Sequence, residues 1–129
     1  MKILGIDYGR SKIGLAIADG PLADPMGVIR YTDTKTLVEK LIKIIEEDSI
    51  EKIIFGVSEG EMAKESINFS INFGKIIKIP VETFDETLST QDAQRMSIEA
   101  GIGQKKRHQM EDAYAAAIML QNYLDFKVD

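Results

Sequence analysis

Residues 2–19, KILGIDYGRSKIGLAIAD, decide how this chain is read. KILGID at 2–7 is a short apolar run closed by Tyr8 and Gly9, the pattern of a buried strand. KIGLAIAD at 12–19 alternates Ile13, Leu15 and Ile17 with smaller residues, the pattern of a second strand. Gly9, Arg10 and Ser11 lie between them, so the stretch predicts an antiparallel hairpin with Asp7 at the end of its first strand.

Working outward, GVIRY at 27–31 predicts a third, shorter strand after a loop holding Pro21 and Pro25. The period then changes. Leu37, Val38, Leu41, Ile42, Ile44 and Ile45 recur at helical spacing, with Asp33 or Thr34 placed to cap. IEKIIFGV at 50–57 predicts a buried strand, 61–74 a helix, and IPVETFDE at 79–86 a strand ending in two acids. Ser89 or Thr90 can cap a helix to about residue 99, closed by Gly101 and Gly103, and a last helix is expected over about 109–124. A hairpin opening followed by β-α alternation predicts the α/β class, a mixed sheet with helices on its faces. With no repeat, linker or low-complexity tract, residues 1–129 are expected to form a single domain.

Composition excludes several functions. The 129 residues contain no cysteine and one histidine, so disulfides, thiolate metal sites, cysteine nucleophiles and multi-histidine zinc sites are ruled out. The chain is 44% hydrophobic and 29% charged, as in a soluble globular domain. No apolar run reaches the ~18 residues a bilayer requires, and Asp7 interrupts the N-terminal run before a signal-peptide core can form. The expected location is cytoplasmic, with no membrane partner. A net charge of −5 argues against a passive nucleic-acid coat but does not limit what one local patch can bind.

Three acids occupy informative places: Asp7 at a strand end, Glu86 beside Asp85 at another, and Asp112 beside Glu111 in the expected first turn of the last helix. Ligand sites of α/β sheets gather outside the carboxyl ends of strands, where these three can converge. Each also has a plain structural reading. Asp7 suits a turn, the 85–86 pair suits a solvated strand end, and Asp112 suits a first-turn acid that complements the helix dipole. Asp112 resists that reading most. Met110, Tyr114, Ala117, Ile118 and Leu124 form one apolar face of its helix, while Ala115, Ala116 and Met119 continue the row below Asp112. A helix buried on both sides makes a carboxylate costly unless it is paired or metal-bound.

Carboxylates without Cys or His suit hard cations, Mg²⁺ or Mn²⁺, and two such ions can clamp a phosphodiester. GQKKRHQMED at 103–112 runs Lys105, Lys106, Arg107 and His108 directly into Asp112, and Arg10 and Lys12 flank Asp7. These six are the candidate substrate-binding residues for a nucleic-acid backbone. A solvated basic loop is the competing reading of the first four.

GIDYGRSKIGLAIAD at 5–19, ETFDETLSTQDA at 82–93 and KKRHQMEDAYAAAIMLQNYLD at 105–125, in this order and spacing, resemble the YqgF family of bacterial pre-16S rRNA nucleases, also called Holliday junction resolvases. The resemblance covers about residues 3–125. It implies a ribonuclease H-like, five-stranded mixed sheet and divalent-metal-dependent phosphodiester hydrolysis. It also implies a role in maturing the 5′ end of 16S rRNA during ribosome biogenesis. Position by position, the family's three acids fall on Asp7, Glu86 and Asp112 as catalytic and metal-holding residues. Two departures stand out. Thr87 replaces the arginine of the family's D-E-R-x-[ST]-T, and Gly56-Val57-Ser58, followed by Glu59 and Glu61, replaces its G-L-P. The first removes a planar, permanently charged donor, and the second adds acids near a polyanion's path.

The expected partner is therefore nucleic acid: precursor 16S rRNA first, branched DNA as the alternative. A junction resolvase needs two sites and hence a symmetric dimer. No long exposed apolar helix offers that interface, so a monomer or weak homodimer is expected. A non-catalytic binding module on the same fold is the other alternative. A sugar-kinase-like or chaperone-like ATPase shares the strand and D-x-G opening but needs a second half that this length cannot supply.

Overall fold

A computed structural model of the chain describes residues 1–57, 60–85 and 104–127. The elements are β1 (Lys2–Asp7), β2 (Lys12–Asp19), β3 (Ala23–Arg30), α1 (Thr34–Glu47), β4 (Lys52–Val57), α2 (Glu61–Ile76), β5 (Val81–Asp85) and α3 (Gln104–Lys127). The described strands form one five-stranded sheet in the order β3-β2-β1-β4-β5. β1 pairs antiparallel with β2 and parallel with β4, β2 pairs antiparallel with β3, and β4 parallel with β5. The mixed sheet expected from the sequence is the one found.

Strand alternation divides the core in two. Leu4, Ile6, Ile13, Leu15, Ile53 and Phe55 face α1 and α2, where Leu37, Leu41, Phe69 and Phe73 meet them. Ile3, Ala16, Ala18 and Ile54 face α3, against Ala116, Ala117, Met119 and Leu120. Small residues on the second face let α3 lie close to the sheet. A Cβ added at Gly5 would stand 3.1 Å from Leu120 Cβ, tighter than ordinary side-chain contact.

Three boundaries differ from the sequence reading. β3 begins at Ala23 rather than 27 and carries Pro25 within it. It is an edge strand, where a missing N–H leaves no ladder bond unmade, and the register shifts opposite, between Leu15 and Ala16. β5 begins at Val81 rather than 79 and is described as far as Asp85. α3 starts at Gln104 instead of about 109, because Gln, Lys and Arg are strong helix formers and extend the helix backwards. The expected helix from 89 or 90 to about 99 lies outside the described residues.

α1 is capped by Asp33, whose carboxylate accepts from the Thr36 N–H at 2.8 Å. The far end of α3 is pinned by a polar trio. Lys52 Nζ donates to Tyr123 Oη at 2.6 Å, and that hydroxyl donates to Glu82 Oε2 at 2.7 Å. Gln121 fastens the same helix to the β2–β3 turn, accepting from Ala23 N and donating to the Pro21 carbonyl, each at 2.9 Å. Among the described residues no helix is long and apolar enough to cross a membrane.

Candidate active site

Asp7 closes β1 with glycine on either side of it in the sheet. Its register partners are Gly14 in β2 and Gly56 in β4. Ile3 and Gly5 face α3, so alternation puts Asp7 on that face too. Directly across, Gly14 carries the backbone of α3. A Cβ there would overlap the Asp112 carbonyl and stand 2.9 Å from the Ala113 nitrogen. The sheet therefore brings Asp7 and the Asp112 segment to one place, with only hydrogen on the intervening strand position.

Asp112 is half-buried and paired with Lys12, whose Nζ lies 2.9 Å from Oδ2. It stands eight residues into α3, about two turns, and not in the first turn. The helix-dipole reading of Asp112 is corrected accordingly, since that effect fades within the first turn. The expectation that its helix is buried on more than one side holds: Ala113, Ala115, Ala116, Ala117, Met119 and Leu120 are all buried.

The turn after Asp7 is braced from several directions. Arg10 forms a forked ion pair with Glu65 of α2, Nε to Oε2 at 2.9 Å and Nη2 to Oε2 at 2.6 Å. The hydrogen bonds and charge of Arg10 hold the Glu65 carboxyl below the usual range, and Glu65 raises the guanidinium in turn. Tyr8 stacks on Phe69 with centroids 4.8 Å apart. Tyr31 Oη donates to the Gly9 carbonyl, and burial, followed by a hydrogen bond with Tyr8, pushes its phenol well up. Nothing in the sequence marked Glu65, one of two acids, with Glu61, on an amphipathic helix. Gly14 left a trace, standing in a small-residue row with Ala16 and Ala18.

Asp85 belongs with Val57 in register, one residue past Phe84. Phe84 packs toward α3, so alternation turns Asp85 to the opposite face from Asp7. Glu86 and Thr87 lie outside the described residues, as do Ser58 and Glu59. Lys105, Lys106, Arg107 and His108 fall in the first turns of α3 and not in a loop, since the helix starts before them. Among the described residues no three His, Asp or Glu side chains form a metal-holding group, and the expected trio includes Glu86, which is not among them.

The family model described as "RuvX: Holliday junction resolvase" matches residues 1–126. The chain belongs to the RuvX family. Its relatives agree. A protein of Natranaerobius thermophilus named "Putative pre-16S rRNA nuclease" is 34% identical, covering 100% of this chain and 97% of the relative. One of Oceanobacillus iheyensis with the same name is 37% identical, covering 98% and 100%. Among solved structures, T. thermophilus RuvC in complex with a Holliday junction substrate gives a TM-score of 0.65 at 14% identity, covering 99% of this chain and 97% of the other. The Fowlpox virus resolvase with its Holliday junction DNA gives 0.66 at 15%, with both chains covered completely. The fold is ribonuclease H-like, as the sequence resemblance implied, and RuvX membership makes the chain a nuclease.

Proposed function

We propose that this nuclease hydrolyses phosphodiesters of precursor 16S ribosomal RNA in the cytoplasm, using Mg²⁺ or Mn²⁺ held by Asp7, Glu86 and Asp112. The observation that carries the reading is the close approach of α3 at Gly14, which sets the Asp112 segment beside Asp7. The donors fit a hard cation, since the carboxylates offer only oxygen. Asp112 already attracts positive charge, in the form of the Lys12 ammonium. Glu86 is assigned as the third acid in preference to Asp85, because Asp85 belongs to the other face of the sheet. Bound there, the metal would supply charge that offsets both the carboxylates and the phosphate.

The chain's own residues then have separate tasks. Asp7 and Asp112 orient the cation, and α3 keeps water from the apolar side of the site. Arg10, Lys12, Lys105, Lys106, Arg107 and His108 are the proposed contacts to the nucleic-acid backbone. Positions 105 and 108 stand seven and four residues before Asp112 in the same helix.

The test is cleavage of a precursor 16S rRNA fragment with Mn²⁺, alongside Asp7→Asn and Asp112→Asn. Both variants should fold and lose turnover and Mn²⁺ binding. Full activity in either one, free of contaminating nuclease, would retire the site. Branched DNA is the second reading, favoured by the Holliday junction complexes of the two structural neighbours. A four-way DNA junction in the same assay, cut in preference to the RNA, would make it the first.

A further inference from the structure

We propose that Lys12 is the built-in counter-ion of the carboxylate site, and that a loading divalent cation displaces it, freeing the ammonium for a backbone phosphate. This rests on the metal-site reading above and adds a coupling between metal and substrate. Lys12 opens β2 two residues before Gly14, so alternation places both on the α3 face. Its Nζ reaches one oxygen of Asp112 at 2.9 Å. The Lys12 side chain remains 39% exposed against 27% for Asp112, so the cation has solvent to swing into while the carboxylate stays in place.

The two halves of the pair differ in freedom. Asp112 is fixed by a helix whose backbone rests on Gly14, with no room to retreat toward the sheet. Lys12 is a flexible stem carrying a compact point charge. Two cations sharing one carboxylate repel, so the mobile one yields. The exchange changes no bond and moves no proton. Before metal arrives, the ammonium limits repulsion among the acids. Afterwards, it stands within a side chain's length of the metal-bearing edge, where a phosphate would lie. The neighbouring cation, Arg10, is differently placed, since Glu65 holds it and the Asp112 carboxylate does not.

The experiment is a calorimetric Mn²⁺ titration of the full chain at one salt concentration, for the natural protein, Lys12→Met, Lys12→Gln and Lys12→Arg. Circular dichroism melts establish that each variant is folded. Both neutral variants should bind Mn²⁺ about two- to five-fold more tightly, the range expected when a partly exposed ion pair no longer competes. Lys12→Arg, which keeps the charge, should bind like the natural protein. A lysine that merely orders Asp112 would give the opposite sign. Equal or weaker binding by the folded neutral variants overturns the counter-ion role and leaves the metal site standing. If no variant and not the natural protein binds Mn²⁺, the metal site itself is wrong and this inference falls with it.

Discussion

Gly14 lies directly beneath the Asp112 peptide, so close that a Cβ would overlap its carbonyl oxygen. The contact is backbone against backbone, and no rotamer change relieves it. Gly14→Ala must push α3 away from β2 or distort the strand, an overpacking that costs about 1–3 kcal/mol. Urea denaturation should show that loss. Because the shift falls on Asp112, Mn²⁺ affinity should drop with it. Gly27→Ala, at a position with open space around it, serves as the control and should change neither.

At its other end α3 is held by Tyr123, which takes a hydrogen bond from Lys52 and gives one to Glu82. The ring also meets Phe84 edge-on at 5.7 Å. Tyr123→Phe keeps the packing and removes the hydroxyl, at a cost of about 0.5–1.5 kcal/mol. Lys52 opens β4 in register with Ile3, at the opposite end of β1 from Asp7. Metal binding should therefore stay unchanged while stability falls, and a matched loss of Mn²⁺ affinity would show that the two ends of the helix are coupled.

Stability in acid should depend on Asp33. Hydrogen bonds from the Thr36 N–H and hydroxyl hold its carboxyl below the ordinary aspartate range. A carboxyl depressed in the folded chain contributes stability above its unfolded pKa, and this is lost as pH falls through the lower folded value. Asp33→Asn keeps an N-capping side chain that cannot titrate. Its melting temperature should fall less steeply than the natural protein's as pH drops below about 4, the ordinary aspartate value. Parallel curves would mean that other carboxyls set the acid limb.

The basic segment at the start of α3 should act on binding and not on chemistry. Replacing Lys105, Lys106 and Arg107 by Ala should flatten the dependence of log affinity on log salt by about 0.7 per lost contact with single strands. Mn²⁺ binding should persist. An unchanged slope would return these residues to the solvated face of a helix.

The parts of this molecule that were legible in its sequence are those with a local pattern. Asp7 falls at a strand end as expected, because KILGID is a short apolar run that stops at Tyr8. β3 was misjudged because Pro25 reads as loop, and only the edge position of the strand makes it tolerable. The start of α3 was misjudged because its first residues carry charge without an apolar period, so their helical propensity had no face to reveal it. That error also put Asp112 in a first turn. The alanine row did reveal a helix pressed against the sheet, though not which strand position it rests on. Arg10 and Glu65 meet across 55 positions of sequence, and two surface charges so far apart leave no signature of their pairing.

That pairing sets the last prediction. Glu65 grips Arg10 with the forked geometry that a phosphate also takes, so a nucleic acid that uses Arg10 would have to compete with this carboxylate for the guanidinium. An exposed pair of this kind is weak and screened by salt, which makes displacement by a polyanion feasible. Glu65→Gln should release Arg10 and tighten binding of a single-stranded RNA, measured in chelator so that no cleavage intervenes. The salt slope should steepen by about 0.7, one further contact. Removing any acid near a polyanion also lowers general repulsion, so the decisive comparison is the same change in an Arg10→Ala background. If Arg10 is the beneficiary, Glu65→Gln gains nothing there. An equal gain in both backgrounds would mean that Glu65 acts only through its charge, and that Arg10 serves to brace the turn after Asp7 against α2.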